Sequence, residues 1–307
     1  MRKITLSISV MLMILLAACA PAANAPVAQG LNVIAAESFL ADIAQNVAGE
    51  RLVVSSLIPS GSDPHTFEPA PQDIAAIEDA DLLIISGAGL EEGLQNYLDN
   101  AGGTTTVLEA SSGLAFREPG AYEEEGEEHQ HDNDPHFWFD PILVIQYVEN
   151  IRDALIGLDP DGAQTYNDNA EAYIAELKDL DVYIRGEVEK VPTEKRKLVM
   201  GHSSFGYFAD RYGFEIVGAV IPSVSTGASP TPQEMAALID RIQETGASAI
   251  FIPATDNPDL AAQVAQDAGV ALITGLYTHS VSEAGGPAPT YIDMMQLDTR
   301  LIVEALK

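Results

Sequence analysis

The chain has 307 residues and one cysteine, Cys19, so it cannot form an internal disulfide. A chain of this length can bury a full core without such a staple. Cationic side chains are also scarce: 15 Lys and Arg stand against 46 Asp and Glu, for a net charge of −31 at pH 7. That imbalance repels nucleic acid and anionic lipid headgroups and attracts cations, although most of these carboxylates serve solubility alone. The apolar run at 4–16 falls short of the roughly 18 to 20 residues that span a bilayer, and Thr5, Ser7 and Ser9 interrupt it. No Gly-x-x-x-x-Gly-Lys-Ser/Thr loop is present to cradle nucleotide phosphates, and no His-Glu-x-x-His helix to build a protease-type zinc site.

Histidine is sparse as well, and its placement is informative. Four of the six histidines lie in short motifs about 70 residues apart: Gly-Ser-Asp-Pro-His at 61–65, Asp-Pro-His-Phe-Trp at 134–138, Gly-His-Ser-Ser-Phe-Gly at 201–206 and Tyr-Thr-His-Ser at 277–280. A fold that brought His65, His136, His202 and His279 together would assemble one metal site from distant parts of the chain.

The N-terminus reads as a secretory leader over residues 1–19: Arg2 and Lys3, an apolar stretch, then Leu-Ala-Ala-Cys at 16–19. This resembles a bacterial lipobox, which makes Cys19 the expected acylated residue and membrane tether. Residues 20–30, rich in Ala and Pro and without charge, read as a flexible stalk.

The rest predicts an α/β protein of two lobes. Strands are expected at 31–36, 52–57, 81–86 and 105–108, with a helix at 71–80, in a first lobe over 31–140. A second series at 197–200, 214–220, 248–252 and 270–274, with helices at 203–212, 232–245 and 257–268, marks a second lobe over 193–307. Such near-continuous apolar strands imply parallel sheets covered on both faces. Residues 141–192 lie between the lobes. Apolar residues at helical spacing (Ile142, Ile145, Val148, Ile151, Leu155) predict one helix, and Asp159-Pro160 predicts the cap and first position of a second, continuing to Lys190. Its stripe of Tyr166, Ala170, Tyr173, Leu177, Leu180 and Ile184 suits a rigid strut of roughly 45 Å.

The segments 61–73, 134–141 and 202–213, in that order behind a lipobox, resemble the signatures of the zinc and manganese solute-binding lipoproteins of ABC importers, the TroA-like family. The likeness covers essentially the whole mature chain, including Asp159-Pro160 and Ser225–Pro232. It implies two (β/α) lobes joined by one rigid helix, metal in the cleft between them, no catalysis, and a monomer that delivers its ion to a membrane permease driven by an ATPase subunit. Carried over, the family's first three ligands fall on His65, His136 and His202. Its fourth position is usually aspartate; here it is His279, which removes a negative charge and makes the site richer in nitrogen.

Zn2+ is therefore the expected cargo, with Mn2+ or iron as the alternative, because four imidazoles suit a tetrahedral zinc ion and manganese favours oxygen donors. A zinc hydrolase, needing an open fourth position and a general base, is the reading from another class. Within the acidic segment 118–134, His129 and His131 resemble a short version of the family's metal-collecting loop; a solvated loop with no role remains the alternative. Four imidazoles with ordinary pKa values near 6.5 would also couple metal affinity steeply to pH, more steeply than a site with aspartate in place of His279.

Overall fold

The computed structural model describes residues 30–101, 105–118, 133–227, 229–255 and 257–307. The expected leader, Cys19, most of the stalk, and His129 and His131 lie outside the described residues. Among those described, no helix is long and apolar enough to cross a membrane.

Two four-stranded parallel sheets organise the chain. In the first, β1 (Val33–Ala35), β2 (Val54–Ser56), β3 (Leu82–Ile85) and β4 (Thr106–Glu109) lie in the order β2-β1-β3-β4. In the second, β5 (Lys197–His202), β6 (Glu215–Ile221), β7 (Ala249–Pro253) and β8 (Ala271–Leu276) repeat that plan as β6-β5-β7-β8. Every residue of β3 and β7 is buried, as expected of parallel strands covered by helices on both faces. In each sheet the strand order reverses beside the first strand, which opens a crevice beyond the carboxyl ends.

The first lobe carries α1 (Ser38–Ala48), α2 (Pro71–Glu78) and α3 (Glu92–Ala101). Between the lobes run α4 (Val144–Leu158) and α5 (Ala163–Val188), and the second lobe adds α6 (Gly206–Tyr212), α7 (Pro232–Thr245), α8 (Asp259–Ala268) and α9 (Tyr291–Leu306). The start of α7 shows how local sequence sets a boundary. Thr231 Oγ1 accepts from the Glu234 amide at 3.2 Å, Glu234 Oε2 accepts from the Thr231 amide at 2.6 Å, and Pro232 fills the first position, whose amide would have no partner.

The 26-residue α5 buries the predicted stripe, Tyr166, Ala170, Tyr173, Leu177, Leu180 and Ile184, and packs on α1, α4 and α9. At 1.5 Å per residue it spans about 39 Å. Polar pins hold it to both lobes. Near its start, Asp159 accepts from Arg51 Nη2 at 2.8 Å and from the Tyr166 hydroxyl at 2.7 Å. Farther along, Asp181 accepts from Arg211 Nε at 2.8 Å and from the Tyr212 hydroxyl at 3.0 Å. One hydrophobic core runs from Phe39 and Leu40 of α1 through Trp138 and Leu177 to Tyr291 and Met294 of α9, so the lobes are packed through the linker instead of hanging from it.

Three points differ from the sequence expectation. Asp159 caps nothing with its side chain, because Arg51 and Tyr166 engage its carboxylate; a 3-10 turn, Pro160–Gly162, precedes α5. The helix stops at Val188, two residues early. Helices α1, α3 and α9 go unassigned in the sequence reading. For α9 a signal exists: Thr290 Oγ1 accepts from the Asp293 amide at 3.1 Å, ahead of a buried stripe of Tyr291, Met294, Met295, Ile302, Val303 and Leu306.

Candidate metal centre

The four motif histidines converge between the two lobes. His65 lies in the loop after β2, His136 in the segment leading to α4, His202 at the last position of β5, and His279 in the loop after β8. Each offers a ring nitrogen, and these four atoms all lie within 4.8 Å of one another. His136 Nε2 is 3.3 Å from His202 Nε2 and 3.4 Å from His279 Nε2. A tetrahedron with metal to nitrogen bonds of about 2.0–2.1 Å has edges of about 3.3–3.4 Å, so these separations suit a shared tetrahedral ion.

The first two histidines are presented by the same local device. In each Asp-Pro-His triplet the aspartate Oδ1 accepts the histidine amide at 3.0 Å, at Asp63 for His65 and at Asp134 for His136. Proline between them disfavours helix at the aspartate, so the side chain closes the turn instead. The remaining capacity of each carboxylate goes to different ends. Asp134 Oδ1 also meets His136 Nδ1 at 2.8 Å. Placing the proton on Nδ1 leaves the Nε2 lone pair free to face the other rings. Asp63 Oδ2 instead accepts from the Thr226 hydroxyl of the second lobe. The loop before His65 turns at Gly61, at φ +84°, and the Gly61 amide donates to Ser280 Oγ at 3.1 Å, next to the fourth histidine.

Burial fixes the electrostatics. His65, His136 and His202 are buried, whereas His279 keeps an edge in solvent. Desolvation, followed by the neighbouring His136, holds His65 down to about 3. Burial and then His136 push His202 well below the ordinary range, and burial and then His202 do the same to His279. The structure therefore favours neutral imidazoles, the form that coordinates metals. His65 Nε2 is buried without a hydrogen-bond partner, a cost that a coordinated cation would remove.

The aromatic residues after His136 form the floor. The Trp138 ring lies tilted 5.0 Å from the His136 ring and edge-on 6.0 Å from that of His279, while Phe139 packs 4.0 Å from Phe205. Arg117, ahead of the acidic segment, pairs with Asp210 at 2.9 Å and approaches Asp134 at 3.9 Å. All four sequence-predicted ligand positions are thus brought together. Sequence reasoning did not single out Trp138, Thr226, Thr278 or Asp298, whose partners (the Thr278 carbonyl, the Asp63 carboxylate, the His279 ring and the Tyr277 amide, in that order) only the fold reveals. The available signal was the repeated Asp-Pro-His, which marks two turns built alike.

Residues 33–305 match the family described as zinc-uptake complex component A, periplasmic (ZnuA). The manganese-binding lipoprotein MntA of Halalkalibacterium halodurans is 34% identical over 100% of this chain and 99% of its own length. The iron-binding protein YfeA of Yersinia pestis is 32% identical over 94% of this chain and 91% of its own. Among solved structures, the periplasmic zinc-binding protein TroA of Treponema pallidum superposes with a TM-score of 0.81 at 27% identity, covering 90% of this chain and 99% of that one. A manganese-bound periplasmic metal-binding protein of candidatus Liberibacter asiaticus superposes at 0.78 with 29% identity, covering 90% and 100%.

Proposed function

We propose that this chain, which belongs to the zinc-uptake complex component A family, captures zinc through His65, His136, His202 and His279 and carries it to its importer. Membership establishes the coarser role: it is a metal-binding, substrate-binding protein of an ABC importer and not an enzyme, so the hydrolase reading falls. The observation that carries the choice of zinc is the donor set. Four imidazole nitrogens, two pairs of them at tetrahedral edge length, offer no anionic oxygen to the ion. Such a set suits zinc, whereas manganese binds nitrogen sites more weakly and favours oxygen ligands at higher coordination number.

Manganese or iron is the second reading, favoured by relatives named for those metals. The two readings separate on first principles, because zinc exceeds manganese in affinity at any shared nitrogen site. Protein purified without added metal should bind one equivalent of zinc at the cleft and release manganese to it in competition titrations. Manganese competing at comparable concentration would refute the zinc reading. His279→Asp restores an oxygen ligand and a charge, and should move the zinc-to-manganese preference at least about tenfold toward manganese.

The importer's permease and ATPase subunits are the partners this role implies. On this reading Cys19 is acylated after leader cleavage and tethers a monomer on the outer side of the cell membrane. His129 and His131 serve as an auxiliary capture loop that passes ions to the cleft. Mass spectrometry of membrane-extracted protein tests the anchor: a lipid-modified N-terminal Cys19 is expected, and an unmodified chain retaining residues 1–18 would refute it.

A further inference from the structure

The loop bearing the fourth histidine is fastened at nearly every residue, and mostly to the other lobe. The Tyr277 amide donates to Asp298 of α9 at 2.9 Å. Trp138 Nε1 donates to the Thr278 carbonyl at 2.9 Å. Ser280 Oγ accepts from the Gly61 amide, and the Val281 amide donates to Ser38 Oγ at 3.0 Å. Of these partners Trp138 also meets the site directly, because its ring lies 5.0 Å from that of His136 and 6.0 Å from that of His279. The indole is itself held. Phe39 of α1 packs 4.6 Å from its ring, and the Tyr291 hydroxyl of α9 donates to the Trp138 carbonyl at 2.6 Å.

We propose that Trp138 is the positioning residue for the fourth ligand: its indole N–H fixes the Thr278 carbonyl, and with it His279, at tetrahedral distance from His136. The inference rests on the reading that four imidazoles share one ion. The physical argument is preorganisation. His279 follows the sheet-edge strand β8, as His65 follows the edge strand β2, and it alone of the four is only partly buried, so the hydrogen bonds of its loop have the larger share in holding it. Thr278 and Ser280 on either side are buried; the Thr278 hydroxyl lies 3.2 Å from His279 Nδ1 and so ties ring to loop, while the Thr278 carbonyl and the Ser280 hydroxyl are held from the first lobe. A hydrogen bond from a fully buried indole has no water to replace it when lost, so the carbonyl it holds would be left unsatisfied or would move. Movement of that carbonyl carries His279 away from the other three rings and leaves a three-imidazole site open at its fourth position, which solvent or a harder ligand could fill. Trp138 thereby decides coordination number and, through it, which cations the site prefers.

The test uses cobalt(II) as the probe, because its visible absorption is strong when four-coordinate and several-fold weaker at five or six. In wild type one equivalent of cobalt should give the strong band. Trp138→Phe keeps an aromatic ring and removes only the donor. It should lose most of that intensity and bind cobalt and zinc about 10- to 100-fold more weakly. In a His279→Ala background the same substitution should change affinity less than about twofold, since the ligand it positions is gone. Tyr291→Phe, which releases the Trp138 carbonyl, should shift the spectrum in the same direction by a smaller amount, and decides the matter if Trp138→Phe fails to fold. An unchanged band in Trp138→Phe, or equal effects with and without His279, overturns the positioning role while leaving the four-imidazole site standing. A wild-type spectrum of higher coordination removes that site, and this inference with it.

Discussion

Lowering the pH from 7.5 to 5.5 separates a closed, neutral histidine cluster from four ordinary imidazoles. An imidazole with a pKa near 6.5 is about ten-elevenths protonated at pH 5.5, and each one that must shed its proton weakens metal binding roughly tenfold between those limits. His65, His202 and His279 at ordinary values would therefore cost about 10^3 in affinity. The structure places them elsewhere. Burial holds His65 down to about 3 and pushes His202 and His279 well below their ordinary range, so the metal-free cluster carries few protons to displace. The sign is fixed by the depressed values: protons compete with metal only as pH falls toward the lowered pKa, well below 6.5, and not across 6.5 itself. Competition titration with a zinc chelator across pH 5.5 to 7.5 should show zinc binding weakened by no more than about tenfold, one imidazole's worth. A loss of about 10^3 would refute the reasoning, and would mean that the metal-free cleft opens and rehydrates these rings. The steep dependence expected from sequence is thus moved to stronger acid. Equal slopes in wild type and His279→Asp over this range are then compatible with His279 as a ligand.

Asp134→Asn removes the carboxylate that holds the Nδ1 proton of His136, and zinc affinity measured by chelator competition should fall about 10- to 100-fold, as for other partners of metal-bound histidines. Deleting residues 123–131 should leave the tightest equivalent of zinc unchanged in the same titration, because the four converging nitrogens come from outside that segment. Uptake by cells at scarce metal is where the deletion should show. Leu177→Ala empties a fully buried position on α5 and should destabilise the protein by about 2–5 kcal/mol in denaturant unfolding, with the cobalt spectrum of the folded fraction preserved.

Sequence by itself determined the architecture and singled out the four histidines that the fold brings together. Apolar runs such as 82–85 and 249–253 are short and rich in β-branched or aromatic residues, which favours strands within covered parallel sheets over buried helix, and the stripe on α5 has the spacing of a helix packed along one side. Four histidines in turn-forming motifs stood out because so few others exist in the chain. What sequence left unresolved depends on partners far along the chain. Asp159 has the residue type and the following proline of a helix cap, yet Arg51, 108 residues away, takes its carboxylate. Asp63 and Asp134 sit in the same triplet, and only the tertiary surroundings direct one to Thr226 and the other to the His136 ring. The lowered proton affinity of His65, His202 and His279 is likewise a property of the fold. An imidazole keeps its ordinary proton affinity until water is excluded from it, and that exclusion comes from two lobes closing around rings that are distant in the chain.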